Sequence, residues 1–421
     1  MPARELPVRP DLDQLKHQAK DLLHAIRAGD PAAVAELREL HPDVVDPQAA
    51  KLADAQLVLA RSYGASSWSR LRLSCDLIDA IWRDDVPAVR TLVLKHPKLL
   101  YEDARIRKCN WGPPMSYAAN LGRNGIIRVL DDLGATDHVQ AMDRAALQSR
   151  IDTARMLYGM MGEPRLPNDP LGGPGYTLSA TGTAFAFEMG ARVVDDAGKR
   201  IAPVDIVLET DSRKPGDKHA ILEMYVEHGL ELPDTPAMAL HRGRIDLLEE
   251  HLRRDSALLR RTFAHEEIYP PELGCHDEVI ATHGTPLKDA TLLHMAVDYD
   301  EMEIARWLLR RGIDPDERAA VDADGFGGHT ALFATVVSQP NFWMNHQRRP
   351  QVAPFTELLL DSGADPNARA SLRKQLHPGY GEEVPHEYRD VTPLSWGQRF
   401  HRRVFVSKPA MRLIAARGGH E

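Results

Sequence analysis

The sequence predicts an all-α solenoid of about eight to nine helix-turn-helix repeats, with long loop insertions and an N-terminal helical cap. Proline signatures recur at a 33-residue interval, at Pro170, Pro203 and Pro236. Threonine-led segments recur farther along the chain, and a glycine follows each amphipathic second helix. A fixed period of this length is typical of stacked supersecondary units, each of which buries its apolar face only against a neighbour.

The first 75 residues differ from the rest of the chain. They read as three helices, of which the first two, DLDQLKHQAKDLLHAIRAG and PAAVAELRELHP, are separated at Gly29-Asp30-Pro31, and the third is KLADAQLVLARSYG. Because a solenoid needs the apolar face of its first repeat covered, we predict that residues 1–75 are a capping module and that residues 76–421 form the array. A separate docking module is the alternative interpretation.

Residues 291–319, TLLHMAVDYDEMEIARWLLRRGIDPDERA, define one full repeat. Thr291 is expected to cap a short inner helix, and the outer helix follows after a tight turn. The outer helix has an apolar stripe at i, i+3 and i+4 spacing; its members are Met302, Ile304, Ala305, Leu308 and Leu309. Glycines are expected to end the outer helices in the left-handed conformation; they are Gly134, Gly229, Gly312 and Gly363.

These features resemble the ankyrin-repeat family. Residues 291–319 follow its pattern almost residue for residue, residues 357–370 share its ending, and residues 112–135 are another full copy. The resemblance covers roughly residues 77–421, and LADAQLVLARSYGASSWSRL resembles a helical module that precedes bacterial ankyrin arrays. The resemblance implies a solenoid whose concave face and loop fingers bind another polypeptide.

Three long insertions interrupt the period, near residues 263–290, 338–351 and 371–390. A shorter insertion, TDSRKPGD, lengthens the turn between the two helices of the repeat that starts at Pro203. Loops longer than about 12–15 residues in a compact array are usually functional or disordered. The insertions contain aromatic residues, histidines and paired charges, so we expect them to be ordered and to contribute to function.

Composition excludes several classes of partner and compartment. Lys+Arg 52 against Asp+Glu 61 gives a net charge of −9, so nucleic acid and anionic membranes are poor candidates. The three cysteines, Cys75, Cys109 and Cys275, are too far apart in sequence for a disulfide framework, and the N-terminus has no apolar signal region. We therefore expect a cytoplasmic protein, and its 40 arginines against 12 lysines suggest a bacterial genome.

No standard catalytic or cofactor motif occurs in the sequence. Nucleotide-binding glycine loops, HExxH and GxSxG are all absent. His265, His276 and His283 come from one irregular loop with a spacing that fits no metal template, so we predict neither a metal nor a cofactor.

Polar residues at inner-helix ends and in the insertions are the candidate site. Glu267 and Asp298 are predicted as an acid–base pair, and His329 and His276 as groups that orient them or hydrogen-bond a substrate. His294 is expected to be structural. The predicted ligand-binding residues are His241, Arg242, Tyr269, Tyr299, Trp343, His386, Tyr388, Arg389, Trp111 and Asn120.

Three functions remain open on this basis. The favoured one is binding of a protein partner by the concave face and the polar insertions. The alternative is an enzyme, a hydrolase or lyase with carboxylate and histidine groups that acts on a polar small molecule or carbohydrate. The third is a small-molecule sensor or self-assembling scaffold without turnover.

Overall fold

The computed structural model describes residues 4–163, 170–276, 284–337, 351–375 and 384–421. The chain divides into two compact units, Met1–Arg165 and Leu166–Glu421. Residues 1–75, the predicted cap, belong to the first unit together with the helices that follow them.

The first unit begins with three packed helices and continues with three helix pairs. Helix α3 packs on α1, α2 and α4, so the N-terminal helices cover the first pair. Helix α4 runs through residue 75, so the predicted module boundary falls inside a helix. The bounds are α1 Leu12–Arg27, α2 Pro31–Leu40, α3 Leu52–Ser62, α4 Trp68–Trp82, α5 Val86–Lys95, α6 Pro114–Asn120, α7 Asn124–Asp132, α8 His138–Leu147 and α9 Ile151–Met160.

The second unit contains six further helix pairs among its described residues, and one extra short helix, α16. Its core is one continuous apolar cluster in which inner helices such as α17 and α19 stack on each other. The bounds are α10 Gly172–Thr177, α11 Ala180–Glu188, α12 Val204–Glu209, α13 Pro215–Glu227, α14 Pro236–His241, α15 Ile245–Arg254, α16 His265–Ile268, α17 Leu292–Asp298, α18 Met302–Arg310, α19 Ala331–Val336, α20 Pro354–Asp361, α21 Pro393–Arg399 and α22 Lys408–Ala416.

Local chemistry sets the helix ends. The side chains of Thr235 and Thr392 accept hydrogen bonds from backbone N–H groups in the first turns of α14 and α21, as predicted for caps. The glycines expected to end outer helices have φ between 90° and 96°. Thr291, which was expected to cap α17, and Thr330 make no such side-chain cap. The Thr291 hydroxyl instead contacts His294 Nδ1 at 2.9 Å, and the Thr330 hydroxyl is buried without a hydrogen-bond partner in the described residues.

Among the described residues, full β-strands occur only in one two-stranded antiparallel sheet. Strand β1, Ala370–Lys374, pairs with β2, His386–Val391, with Leu372 opposite Tyr388. The first and last residues of the predicted insertion 371–390 therefore lie in this antiparallel strand pair, which precedes α21 in the chain.

No helix in the described ranges of the chain is both long enough and apolar enough to cross a bilayer.

Candidate functional site

A buried ion pair connects two distant repeats of the second unit. The Arg213 guanidinium lies 2.9 Å from the Asp298 carboxylate, and its Nε donates to the Asp298 backbone carbonyl at 2.6 Å. The backbone N–H of Gly284 donates to the other Asp298 oxygen at 2.6 Å. The side chains are 12% and 2% exposed, so this pair fixes the turn after α12 against the end of α17.

A second buried pair lies beside the first. The Lys218 ammonium on α13 is 2.9 Å from Glu301, and His219 contacts the same carboxylate oxygen at 2.9 Å. The Lys218 nitrogen and the Arg213 guanidinium carbon lie 4.4 Å and 5.1 Å from the centre of the Tyr299 ring. Two cations, two carboxylates and one aromatic ring therefore form a single charge-balanced cluster.

Tyr299 extends this cluster to the 263–290 insertion. Its hydroxyl donates to the Tyr269 hydroxyl and lies 3.4 Å from the Leu208 carbonyl. The His241 ring packs edge-on against Tyr299 at 4.8 Å. The structure thus brings together four of the predicted residues: Asp298, Tyr299, Tyr269 and His241.

Burial controls the protonation of this network. Burial alone would lower the pKa of the Arg213 guanidinium, but Asp298, Tyr299, Tyr269 and Asp211 together outweigh burial, and the pKa is raised. Burial alone would raise the pKa of Glu301, but the charges and hydrogen bonds of Lys218 and His219 outweigh burial, so the pKa is lowered. Burial also raises the pKa values of Tyr269 and Tyr299. These groups are therefore held in one protonation state near neutral pH.

A cavity of about 590 Å³ adjoins the Arg213–Asp298 pair. It lies among the ends of α17 and α19, the start of α20 and the start of α22. This volume is within the range of about 300–1,000 Å³ that ligand pockets span. The apolar side chains in its lining are Val297, Ala334, Val352, Ala353, Pro354, Phe355, Val404, Phe405, Val406 and Pro409.

The cavity carries an uneven distribution of charge. Lys408 and Arg412 lie one turn apart on α22, are exposed, and form no ion pair with the described part of the chain. Asp300 is also in the lining, beside the paired Asp298. The α22 side of the cavity is therefore cationic, and the α17 side is acidic.

Glu267 lies away from these contacts, on α16. Its carboxylate accepts from Arg261 and from the backbone N–H of Ala264, so it caps its own helix. No hydrogen bond or ion pair joins Glu267 to Asp298 in the described residues. Each of the two carboxylates is held by an arginine and by a backbone N–H.

His276 contacts a carboxylate that sequence reasoning did not select. Its Nδ1 lies 2.9 Å from Glu209, and its backbone N–H donates to the other Glu209 oxygen. Asp205, one helical turn earlier, lies in the same group. Burial beside these carboxylates raises the pKa of the Cys275 thiol, so Cys275 is not an activated nucleophile.

Buried histidines join successive loops of the second unit. His294 accepts from Thr291 through Nδ1 and its Nε2 lies 3.0 Å from the His329 carbonyl, as expected for a structural residue. The Nε2 atoms of His329 and His241 lie 3.0 Å from the carbonyls of Pro286 and Ile268. The imidazole of His329 is thus in the core, 1% exposed, rather than on a groove surface.

These histidines predict a pH-dependent stability. Burial lowers the pKa of His294 to about 4 and of His329 to about 3, whereas a histidine in an unfolded chain titrates near about 6.5. The unfolded chain therefore binds more protons below about pH 6.5, and stability should fall as the pH drops from there toward 4. Each histidine adds a slope of up to about 1.4 kcal/mol per pH unit.

Urea unfolding at about pH 7.5, 6.5 and 5.5 measures this slope. His294→Gln should reduce it, whereas His17→Gln, a change at an exposed position of α1, should leave it unchanged. A free energy of unfolding that is constant between these pH values would contradict the burial of neutral imidazoles.

The residues predicted in the last finger form their own cluster on β2. The His386 ring stacks on His401 at 3.7 Å, and the Tyr388 hydroxyl lies 2.6 Å from His401 Nδ1. Arg389 and Arg373 cover the ring of Phe326 at 4.3 Å and 4.1 Å. These contacts stabilise the hairpin on the preceding finger.

Other predicted residues lie elsewhere. In the first unit, Asn120 accepts from Arg144 at 2.9 Å, and the Arg144 guanidinium lies 5.8 Å from the Trp111 ring. Arg242 forms a bidentate pair with Glu223. Trp343 falls in 338–350, outside the described residues.

Sequence reasoning missed the cations of the site. Arg213 lies in TDSRKPGD, whose excess length indicates an unusual turn but not which side chain makes a contact. Lys408 and Arg412 are ordinary surface residues in the sequence, and only the fold places them beside the ends of α17 and α19.

Comparisons with known proteins address the repeat. Residues 288–320 match the family model described as ankyrin repeat. Among solved structures, the chain is similar to the human ASB11 ankyrin repeat domain at 14% identity, over 82% of this chain and 98% of that chain, with a TM-score of 0.19. No curated protein matches the sequence.

Proposed function

Since the chain is an ankyrin-repeat protein, we propose that it binds a polypeptide segment in the cavity beside α17, α19, α20 and α22. Ankyrin repeats generally mediate protein–protein interaction, but a fold does not by itself identify a site. The observation that carries this proposal is the combination of apolar walls with two exposed cations, Lys408 and Arg412, that form no ion pair with any described residue.

The lining indicates the chemistry of the bound segment. An apolar side chain buried against Val352 and Phe355 would gain about 1.5–3 kcal/mol. Lys408 and Arg412 favour an acidic side chain on the α22 side. Asp300 disfavours an acidic side chain on the α17 side of the cavity. The segment would therefore bind with its acidic side chain toward α22, in one direction only.

The geometry gives less support to acid–base catalysis. Glu267 and Asp298 are each bonded to an arginine and do not contact one another. The buried tyrosines have raised pKa values and the buried histidines have lowered ones. General acid–base catalysis works best with groups that titrate near the operating pH.

A displayed library of random linear peptides, selected on the full immobilised chain, tests the proposal. Recovered peptides should share an acidic residue near an aliphatic or aromatic one. Lys408→Glu with Arg412→Glu should weaken their affinity by about tenfold or more, measured by fluorescence anisotropy, because like charges would then face each other.

A matched double reversal, Arg260→Glu with Arg310→Glu, controls for net charge. Both arginines are exposed in the second unit and outside the cavity lining, so affinity should change by less than about twofold. Peptides without a shared acidic position, or equal binding to both double variants, would overturn the proposed site.

A further inference from the structure

We infer that Asp205, Glu209 and His276 form a binding site for a divalent transition-metal ion of the zinc class. One ligand atom from each side chain lies within 4.8 Å of the others. This site lies outside the cavity described above and uses none of its lining residues.

The fold holds the three side chains together from two directions. Asp205 and Glu209 are four residues apart on α12 and so project from one face of that helix. His276 comes from the 263–290 insertion, and its backbone N–H and Nδ1 both meet the Glu209 carboxylate. The imidazole is therefore positioned by a contact that exists without an ion.

Gly274 lies where the insertion approaches α12. Its φ of +86° is in the left-handed region that favours glycine, so another residue there would be strained. A Cβ built there would make an ordinary contact of 3.5 Å with the Asp205 carboxyl carbon and would lie 2.6 Å from the terminal nitrogen of the flexible Arg200 side chain. Arg200 also lies 3.7 Å from the Asp205 carboxylate, so its guanidinium would move aside when Asp205 binds an ion.

The donor set indicates the class of ion. Two carboxylates and one imidazole suit Zn²⁺ and neighbouring transition metals, whereas Mg²⁺ favours oxygen ligands alone. If the three ligand atoms stood at their largest separation of 4.8 Å, an ion equidistant from them would lie about 2.8 Å from each. Metal–ligand bonds of about 2.0–2.2 Å would then require each ligand atom to move toward the ion by about 0.7 Å. His276 is 55% exposed, so the ligand nearest the solvent can make this adjustment and leave a position for water.

Isothermal titration of the untagged full chain with ZnCl₂, after chelator treatment and its removal, tests the site. We expect one saturable Zn²⁺ per chain and slower amide exchange over residues 270–276 when the ion is present. Glu209→Gln and His276→Ala should each weaken Zn²⁺ binding by about tenfold or more. Glu209→Gln keeps the shape of the buried side chain but replaces one acceptor oxygen with a donor NH₂. Urea unfolding equal to that of the wild type would show that a loss of binding by this variant does not reflect misfolding.

His17→Ala removes an exposed histidine of the first unit and should leave Zn²⁺ binding unchanged. The inference would be overturned by three results: no saturable binding, equal affinity in wild type and Glu209→Gln, or an equal loss in His17→Ala. Binding of MgCl₂ as tight as that of ZnCl₂ would overturn the assigned class of ion.

Discussion

Replacement of Arg213 by methionine should destabilise the second unit by about 3–5 kcal/mol, because it leaves the buried Asp298 carboxylate without its cation. Methionine keeps an apolar stem in the same place, so the effect reports the charge and its hydrogen bonds rather than a cavity. Urea unfolding measures the free energy, and amide exchange over α12, α13 and α17 should show where protection is lost.

Two comparisons make this result specific. Arg306→Ala breaks an exposed pair with Glu303 and should cost no more than about 0.5 kcal/mol. The double variant Arg213→Met/Asp298→Asn should be more stable than Arg213→Met alone, since the unpaired charge is gone. A change within about 1 kcal/mol for Arg213→Met would show that the pair does not hold the two repeats together.

Deletion of the N-terminal helices should abolish the cooperative unfolding of the first unit. The deletion best ends at Ser66, because α4 begins at Trp68 and Ser67 caps it. It removes α3 from α4 and exposes apolar residues of the first helix pair. It also removes Val8, whose carbonyl accepts the Tyr117 hydroxyl, and Leu6, whose carbonyl accepts Arg105.

Differential scanning calorimetry and size-exclusion chromatography measure this effect. We expect the transition of the first unit to vanish and the truncated chain to associate, while the transition of the second unit persists. A monomer with both transitions at their original temperatures would instead identify residues 1–66 as an independent module.

The repeat architecture could be predicted because its signals are local. A capping threonine, an apolar stripe and a terminal glycine each act within one helix, so their spacing in the sequence identifies the element. Thr330 shows the limit of this reasoning, since it stands at the same repeat position as Thr235 but makes no cap.

The candidate site was only partly predictable. Inner-helix ends of successive repeats lie side by side, so a meeting of His241 and Tyr299 followed from the repeat geometry. Arg213 enters from an irregular turn, 85 residues before its partner Asp298, and no period relates the two. The unusual length of that turn was the available signal, but length does not indicate which side chain points inward.

The separation of Arg213 from Asp298 also bears on biosynthesis. In an array with contacts only between neighbouring repeats, each repeat can fold as soon as the next one emerges from the ribosome. Here Arg213 cannot pair with Asp298 until the ribosome has added 85 further residues, which takes about 4–17 s at about 5–20 residues per second. During that interval α12 and α13 lack the carboxylates that balance Arg213 and Lys218, so their final burial is coupled to translation of α17 and Glu301.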